Sequence, residues 1–317
     1  AVIVFFVLSG FLISTILLND KEKCSNGLLV VRNFLVRRML RIFPAYFLLL
    51  FILMIIGYPF LEGELPYQFT FTSNYFFYNK TVVTHTSHTW SLAIEEQFYL
   101  VWPWLIIFIS SFYQPFIFLG CTVISLFSSW YFGCADDYSC GLLMNFLTTT
   151  NLVAFAVGGM YANMIRSEKG RKNITMIVRF SFLAVTPLFL YWALTPLFSL
   201  EHRFEFLRVT AYSVLALCII HVIMGIEKGA IKTRVIDNSF IGLTGRISYG
   251  IYLFHLPVQF YFTQYLIIWA SQKGLSNSLY LWFFPFCLTV FGLAYLSYQL
   301  FERRVLKLKR HFSFTES

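Results

Sequence analysis

Two adjacent carboxylates, Glu95 and Glu96, stand inside the run His88–Pro103, which is otherwise apolar enough to lie in a bilayer. Each would cost about 2.5–3.5 kcal/mol at mid-membrane depth, so something must compensate them, and ionisable groups at that depth most often mark reaction or transport routes. Wound as a helix, His88, Ser91, Glu95 and Tyr99 or Trp102 share one face, while Glu96 lies about 100° round. The two carboxylates therefore need different partners: a watered cavity for one, and an Arg, a His or a backbone group for the other. Their chemistry is positioning or proton transfer, and the plainer alternative is a polar knot that fixes helix packing. His88 is either a site residue or an interfacial hydrogen-bonding one.

A second cluster is Arg37-Arg38-Met-Leu-Arg41-Ile-Phe-Pro44. Spacings of three and four residues bring guanidiniums to neighbouring positions on a helix, and the planar fork suits phosphate oxygens. The alternative is a basic anchor at the membrane edge. Three further residues are candidates. Ser9, with Gly10, is a small pair in an aromatic helix where neighbours can approach closely. His255 lies inside a span two residues before Pro257, and Glu302, one turn after Tyr298, precedes Arg303 and Arg304.

The elements that must hold these groups are membrane helices. Of 317 residues, 58% are hydrophobic and 12% charged, about half the charged share of a soluble domain. A bilayer core takes about 20 apolar residues as helix. Hydropathy predicts spans at 1–18, 43–60, 89–111, 115–133, 142–165, 174–198, 207–226, 247–270 and 279–301, with 67–78 as an aromatic interfacial loop. With residue 1 outside, the segments 19–42, 166–173, 227–246 and 302–317 fall in the cytosol and hold nineteen of the 24 Lys and Arg residues. Short basic loops resist translocation, which sets this orientation. The charge of +9 is thus read as membrane orientation rather than nucleic-acid binding. Of six Cys, Cys134 and Cys140 fall in an outer loop where a disulfide and two free thiols are equally consistent, and no metal-ligand spacing appears. No cleavable signal is visible, and a chain that opens at Ala1 within a span reads as a fragment.

Taken together these stretches resemble the acyltransferase 3 family of membrane O-acyltransferases, which includes bacterial enzymes that acetylate O-antigens and other surface glycans. The resemblance rests on Phe5-Phe-Val-Leu-Ser-Gly-Phe11, Arg38-x-x-Arg41 ahead of Pro44, Ser73-Asn-Tyr-Phe-Phe77, His88–Pro103, Gly245-Arg-Ile-Ser-Tyr249 with Tyr252-Leu-Phe-His-Leu-Pro257, and Ser297-Tyr-x-x-x-Glu302, in the family's order. It implies a single domain over 1–317, an all-α polytopic bundle with about nine spans visible of about ten, in a bacterial inner membrane. It also implies an acyl-CoA donor, expected to be acetyl-CoA, reaching Arg38 and Arg41 from the cytosol, and an acceptor hydroxyl on an extracytoplasmic or lipid-linked glycan. The family's first helix carries an Arg and an essential His, so this chain reads as lacking that helix and as inactive alone. His88, Glu95 and Glu96 would bound the cavity in which that His acts on the acceptor hydroxyl. Arg304 replaces the Pro usual after Glu302. Thr-Thr-Thr-Asn-Leu-Val replaces an Arg-x-x-Glu pattern within 148–159, which alters how the acceptor pocket is lined. Two other classes stay open: a transporter or exporter using the carboxylates as ion sites, and a non-catalytic subunit.

Overall fold

The computed structural model describes residues 2–59, 61–80, 84–132, 143–198, 205–227, 239–272 and 279–314. Cys134 and Cys140 lie outside these residues. The described chain is an all-α polytopic membrane bundle: α1 Val2–Lys23, α2 Gly27–Ile55, α3 Leu61–Phe69, α4 Ser73–Lys80, α5 Thr89–Phe108, α6 Gln114–Phe132, α7 Thr148–Arg166, α8 Glu168–Phe198, α9 Arg208–Glu227, α10 Ser239–Tyr261 and α11 Leu279–Ser297. A π turn, Phe262–Ile267, carries α10 on into Ile268–Gln272, and a second, Tyr298–Glu302, carries α11 on into Arg303–Leu306 and a 3-10 turn, Lys307–Phe312.

Each predicted span coincides with a long helix; several helix ends lie a few residues from the predicted limits, and two differences bear on the site. Helix α2 begins at Gly27 rather than near residue 43, because Asn26 caps it, its side chain accepting from the Leu29 N–H at 3.1 Å, and because Val30, Val31 and Phe34 continue the buried stripe. The Arg cluster therefore sits within a helix, as its spacing predicts, well inside the helix's start. The segment predicted as an interfacial loop is instead the helix pair α3 and α4, whose aromatic rings stack on α2 through Phe69 and Phe71 against Phe43, Tyr46 and Phe47. Segments of α1, α2, α6, α8, α9 and α11 are long and apolar enough to cross a membrane. By contrast α5, α7 and α10, which carry more polar residues, supply Glu95, Thr148 and His255.

Lipid is as apolar as a buried leucine, so helices in a bilayer are held by close packing and by hydrogen bonds between them. The tightest crossing is α1 on α7. A Cβ built on Gly10 would stand 2.2 Å from the Phe155 carbonyl oxygen, and one on Gly158 would stand 2.1 Å from that of Val7. Each glycine thus admits the other helix's backbone. Phe155, from α7, stacks on Phe98 of α5 with centroids 4.0 Å apart. Outward-facing side chains such as Leu100, Trp104, Phe116, Leu119 and Phe284 are large, apolar and exposed, as a lipid-facing surface requires. The basic ends of several helices meet at one end of the bundle: Arg166 bonds Asn19 and Glu22, Lys21 Nζ donates to the Ile106 carbonyl, and Arg37 bonds Asp20.

Candidate active site

Helix α5 is the axis of the site. Its buried side, Leu92, Ile94 and Phe98, packs in the bundle, which leaves Glu95 and Tyr99 facing α1 one turn apart. Glu95 Oε1 accepts from Ser9 Oγ at 2.9 Å and Oε2 accepts from the Tyr99 hydroxyl at 3.2 Å. One turn further on, Trp102 Nε1 donates to Ser14 Oγ at 2.9 Å, so a polar seam joins the two helices. Gly10 makes this geometry possible, because the close α1–α7 crossing seats α1 with Ser9 toward α5. Ser9, singled out for packing on sequence, is also a carboxylate partner.

Glu96 turns away from this seam, as the helical wheel predicts. Its Oε1 is buried without a hydrogen-bond partner among the described residues, and its electrostatic neighbours are Glu95, Arg38, Tyr46 and Tyr249. Both carboxylates nonetheless keep some accessible surface, so they line a space instead of being sealed. Arg38 lies over the rings of Phe34 and Tyr99, 5.4 and 5.5 Å from the centroids, and acts on both carboxylates. Arg41, one turn further along α2, faces Glu302. Among the described residues neither Arg38 nor Arg41 donates a hydrogen bond, which leaves ten N–H donors of about five each for an oxyanion. Arg37 differs, because Nη2 bonds Asp20 at 2.5 Å and Nη1 bonds the Phe312 carbonyl at 2.6 Å. Glu302, 5% exposed, accepts from Ser297 Oγ at 3.0 Å inside the second π turn.

His88 belongs to a neighbouring group on α10, not to a direct contact with the carboxylates. Its Nε2 lies 3.0 Å from the Leu253 carbonyl, and because a carbonyl only accepts, Nε2 carries a proton, which in the neutral ring leaves Nδ1 as a lone pair. That Nδ1 is buried without a partner among the described residues. The Tyr252 hydroxyl donates to the His88 carbonyl at 2.8 Å and lies 2.5 Å from Ser91 Oγ, and the His255 ring packs edge-on against His88 at 5.1 Å. Tyr252 is also an electrostatic neighbour of Glu95, which links the two groups. The bundle thus brings Ser9, Arg38, Arg41, Glu95, Glu96 and Glu302 along one polar path, with His88 and His255 on a branch from it.

A third cluster escaped the sequence reading. Glu64 of α3 is 1% exposed, and its Oε2 accepts from Thr86 and, at 3.2 Å, from Gln68 Nε2. The Tyr46 hydroxyl donates to Gln68 Oε1 at 2.7 Å, and Tyr46 has both Glu64 and Glu96 as electrostatic neighbours, so this cluster prolongs the polar path away from the arginines. The available signal was the pair Glu64 and Gln68 at helical spacing, masked by reading 67–78 as a loop. The altered Thr148–Asn151 segment starts α7. Thr148 Oγ1 donates to Gln97 Oε1 at 2.5 Å, Thr150 and Asn151 donate to the carbonyl of Leu147, and Asn74 ties Thr148 and Gln97 to α4.

Comparison with known proteins follows this geometry. The acyltransferase 3 model, described as an acyltransferase domain, matches residues 1–299. A Staphylococcus aureus (strain COL) protein that bears an O-acetyltransferase name is 25% identical over 94% of this chain and 51% of its own length. The Listeria monocytogenes (strain EGD-e) peptidoglycan O-acetyltransferase OatA is 38% identical over 33% of this chain and 19% of its own length. The O-acetyltransferase OatA of Staphylococcus aureus (strain NCTC 8325) is 22% identical over 83% and 46%. The chain spans about half the length of the first of these relatives. No solved structure matches it.

Proposed function

This chain belongs to the acyltransferase 3 family, and from that premise we propose that it forms the membrane domain of an O-acyltransferase that moves an acetyl group from acetyl-CoA to a glycan hydroxyl. The observation that carries the reading is Glu95 inside the bundle, held by Ser9 and Tyr99, with the undonated guanidinium of Arg38 beside it. Arg38 and Arg41 take the donor's phosphates from the basic end of the bundle, which faces the cytosol of a bacterial inner membrane. The acceptor, an extracytoplasmic or lipid-linked sugar, meets the acyl group on the side of His88 and Glu64. The relatives named as peptidoglycan and other O-acetyltransferases support a glycan acceptor.

Chemically, the acceptor hydroxyl oxygen gains the acyl carbon, the thioester C–S bond breaks, and the hydroxyl proton ends on the released sulfur. A base within hydrogen-bond reach of that hydroxyl speeds this transfer. Nδ1 of His88 and Oε1 of Glu96, which have no hydrogen-bond partner among the described residues, support a role for these two side chains in holding the proton on its way. Ser9, Tyr99 and Arg38 fix Glu95, so that its charge is positioned before the donor arrives.

The test is transfer of labelled acetyl from acetyl-CoA by the full-length protein in vesicles, with donor and acceptor on opposite faces. Glu95→Gln and Glu96→Gln should each lower the rate at least tenfold. Full activity in both would remove the carboxylates from the mechanism, and labelling that puts His88 and Arg41 on the same face of the membrane would overturn the two-sided geometry.

A further inference from the structure

The C-terminal 3-10 turn Lys307–Phe312 does not trail from the bundle as a simple anchor. It packs on α2, where Arg37 Nη1 donates to the Phe312 carbonyl at 2.6 Å, and Phe314 joins the edge of the apolar core. The same contact is steadied from below, since Arg37 Nη2 is held by Asp20 of α1. Seated this way, the turn puts Lys309 half-buried against Arg37, Arg38 and Arg41. Among the described residues Lys309 has no carboxylate partner.

Four cations converge there. Asp20 answers Arg37, Glu302 answers Arg41 and Glu95 faces Arg38, so Lys309 is the surplus. Arg303 and Arg304, on the turn before, are solvent-exposed and add no negative charge. Like charges held together in a half-buried place repel, and a fold keeps such a cluster where an anion answers it. A snorkelling anchor would instead send the ammonium outward to water and headgroups, as the exposed Lys307 does on the same turn.

We propose that Lys309 is a further donor-binding residue: a fourth cation that closes the site over the nucleotide phosphates of the acyl-CoA, carried there by a turn that Arg37 holds to α2. This rests on the donor reading of Arg38 and Arg41. It gives Arg37 a different task from its neighbours, that of positioning the turn. Lys309 lies beyond the apolar run, among Arg303, Arg304, Lys307 and Arg310, and burial with the nearby Arg41, Arg38 and Arg37 pushes its ammonium down to about 8. A bound phosphate reverses that push. Affinity should therefore be constant below about pH 8 and fall as pH rises through it, since the site must then take up a proton to bind. The charged groups acting on Lys309 are Arg41, Arg38 and Arg37, which keep their charge through this range.

The experiment measures equilibrium binding of labelled adenosine 3′,5′-bisphosphate, whose phosphates are already ionised above pH 7, to the full-length protein in nanodiscs from pH 7 to 9.5. Lys309→Gln should weaken binding about tenfold at pH 7, equivalent to about 1.4 kcal/mol, and abolish the fall near pH 8. Lys309→Arg should keep the affinity and lose the fall, and Lys307→Gln should bind within twofold of the wild type. If Lys309→Gln matches Lys307→Gln while Arg41→Gln weakens binding, the proposal fails and the donor reading stands. If Arg41→Gln and Arg38→Gln leave binding unchanged while Lys309→Gln weakens it, the donor role of the arginines fails instead. A wild-type protein that does not bind the probe overturns both.

Discussion

Replacing Gly10 with alanine tests the packing that positions the site. The added Cβ would lie 2.2 Å from the Phe155 carbonyl oxygen and 2.8 Å from its Cα, and both are backbone atoms that cannot swing aside. A carbon-to-oxygen contact needs about 3.3 Å, so α1 and α7 must part by about 1 Å. A gap of that size forfeits about a quarter to a half of each contact's 0.1–0.2 kcal/mol. The crossing joins Phe6, Val7, Phe11 and Ser14 to Phe155, Gly158 and Gly159. If about 60 atom pairs are affected, the loss is about 3 kcal/mol. The same shift lengthens the Ser9 to Glu95 bond of 2.9 Å beyond hydrogen-bonding range, for about 1 kcal/mol more. Thermal unfolding in detergent, followed by circular dichroism of the helices, reads the stability, and acetyl transfer by the full-length protein reads the displaced Ser9. Gly120→Ala is the control, because a Cβ there meets nothing within 4 Å and a helical glycine replaced by alanine gains up to about 1 kcal/mol. Should Gly10→Ala unfold no earlier than Gly120→Ala and keep full activity, the argument that a glycine crossing seats Ser9 is wrong.

Three more outcomes are expected. Thr86→Val, which removes the donor to a carboxylate that is 1% exposed, should destabilise the protein by about 1–3 kcal/mol in chemical unfolding; in a Glu64→Gln background the same change should cost measurably less. Nitrogen-15 NMR of labelled histidine should find His88 protonated on Nε2, and an Nε2 without a proton would contradict the bond to the Leu253 carbonyl. Without ligand, Lys309→Gln should raise the melting temperature at pH 7. The native state holds Lys309 below its ordinary lysine value, so it binds fewer protons than the unfolded chain above about pH 8. The penalty is therefore full below about pH 8 and fades as pH rises toward the ordinary value, and the gain from the substitution should fade with it.

The sequence made the helices and the carboxylates legible for physical reasons, since apolar runs of spanning length and charges inside them are both visible along one strand of text. The wheel positions of Glu95 and Glu96 led directly to their separate surroundings. Partners were not legible, because they come from far along the chain: Ser9 is 86 residues from Glu95, and the His88 ring meets the Leu253 carbonyl 165 residues on. Spacing placed the arginines correctly on a helical face, but hydropathy set the span's start at 43, because it does not see that the apolar stripe Val30, Val31 and Phe34 continues the helix back through Arg37, Arg38 and Arg41 to the Asn26 cap. Glu64 was lost for the opposite reason, since a short amphipathic helix too brief to cross the membrane gives little periodic signal.

The π turn Tyr298–Glu302 has one residue more than an α-helix would fit into the same rise, so the wheel after it is rotated by about 100° relative to a straight continuation. The direction in which the last basic turn points is thereby uncoupled from the rotation of the membrane span before it. A single-codon deletion within these five residues would swing the C-terminus off its seat while every side chain upstream kept its outlook on the lipid. Natural variation of that kind, gain or loss of one residue at this joint, is a small evolutionary step by which a relative could dispense with the C-terminal cap over its arginines.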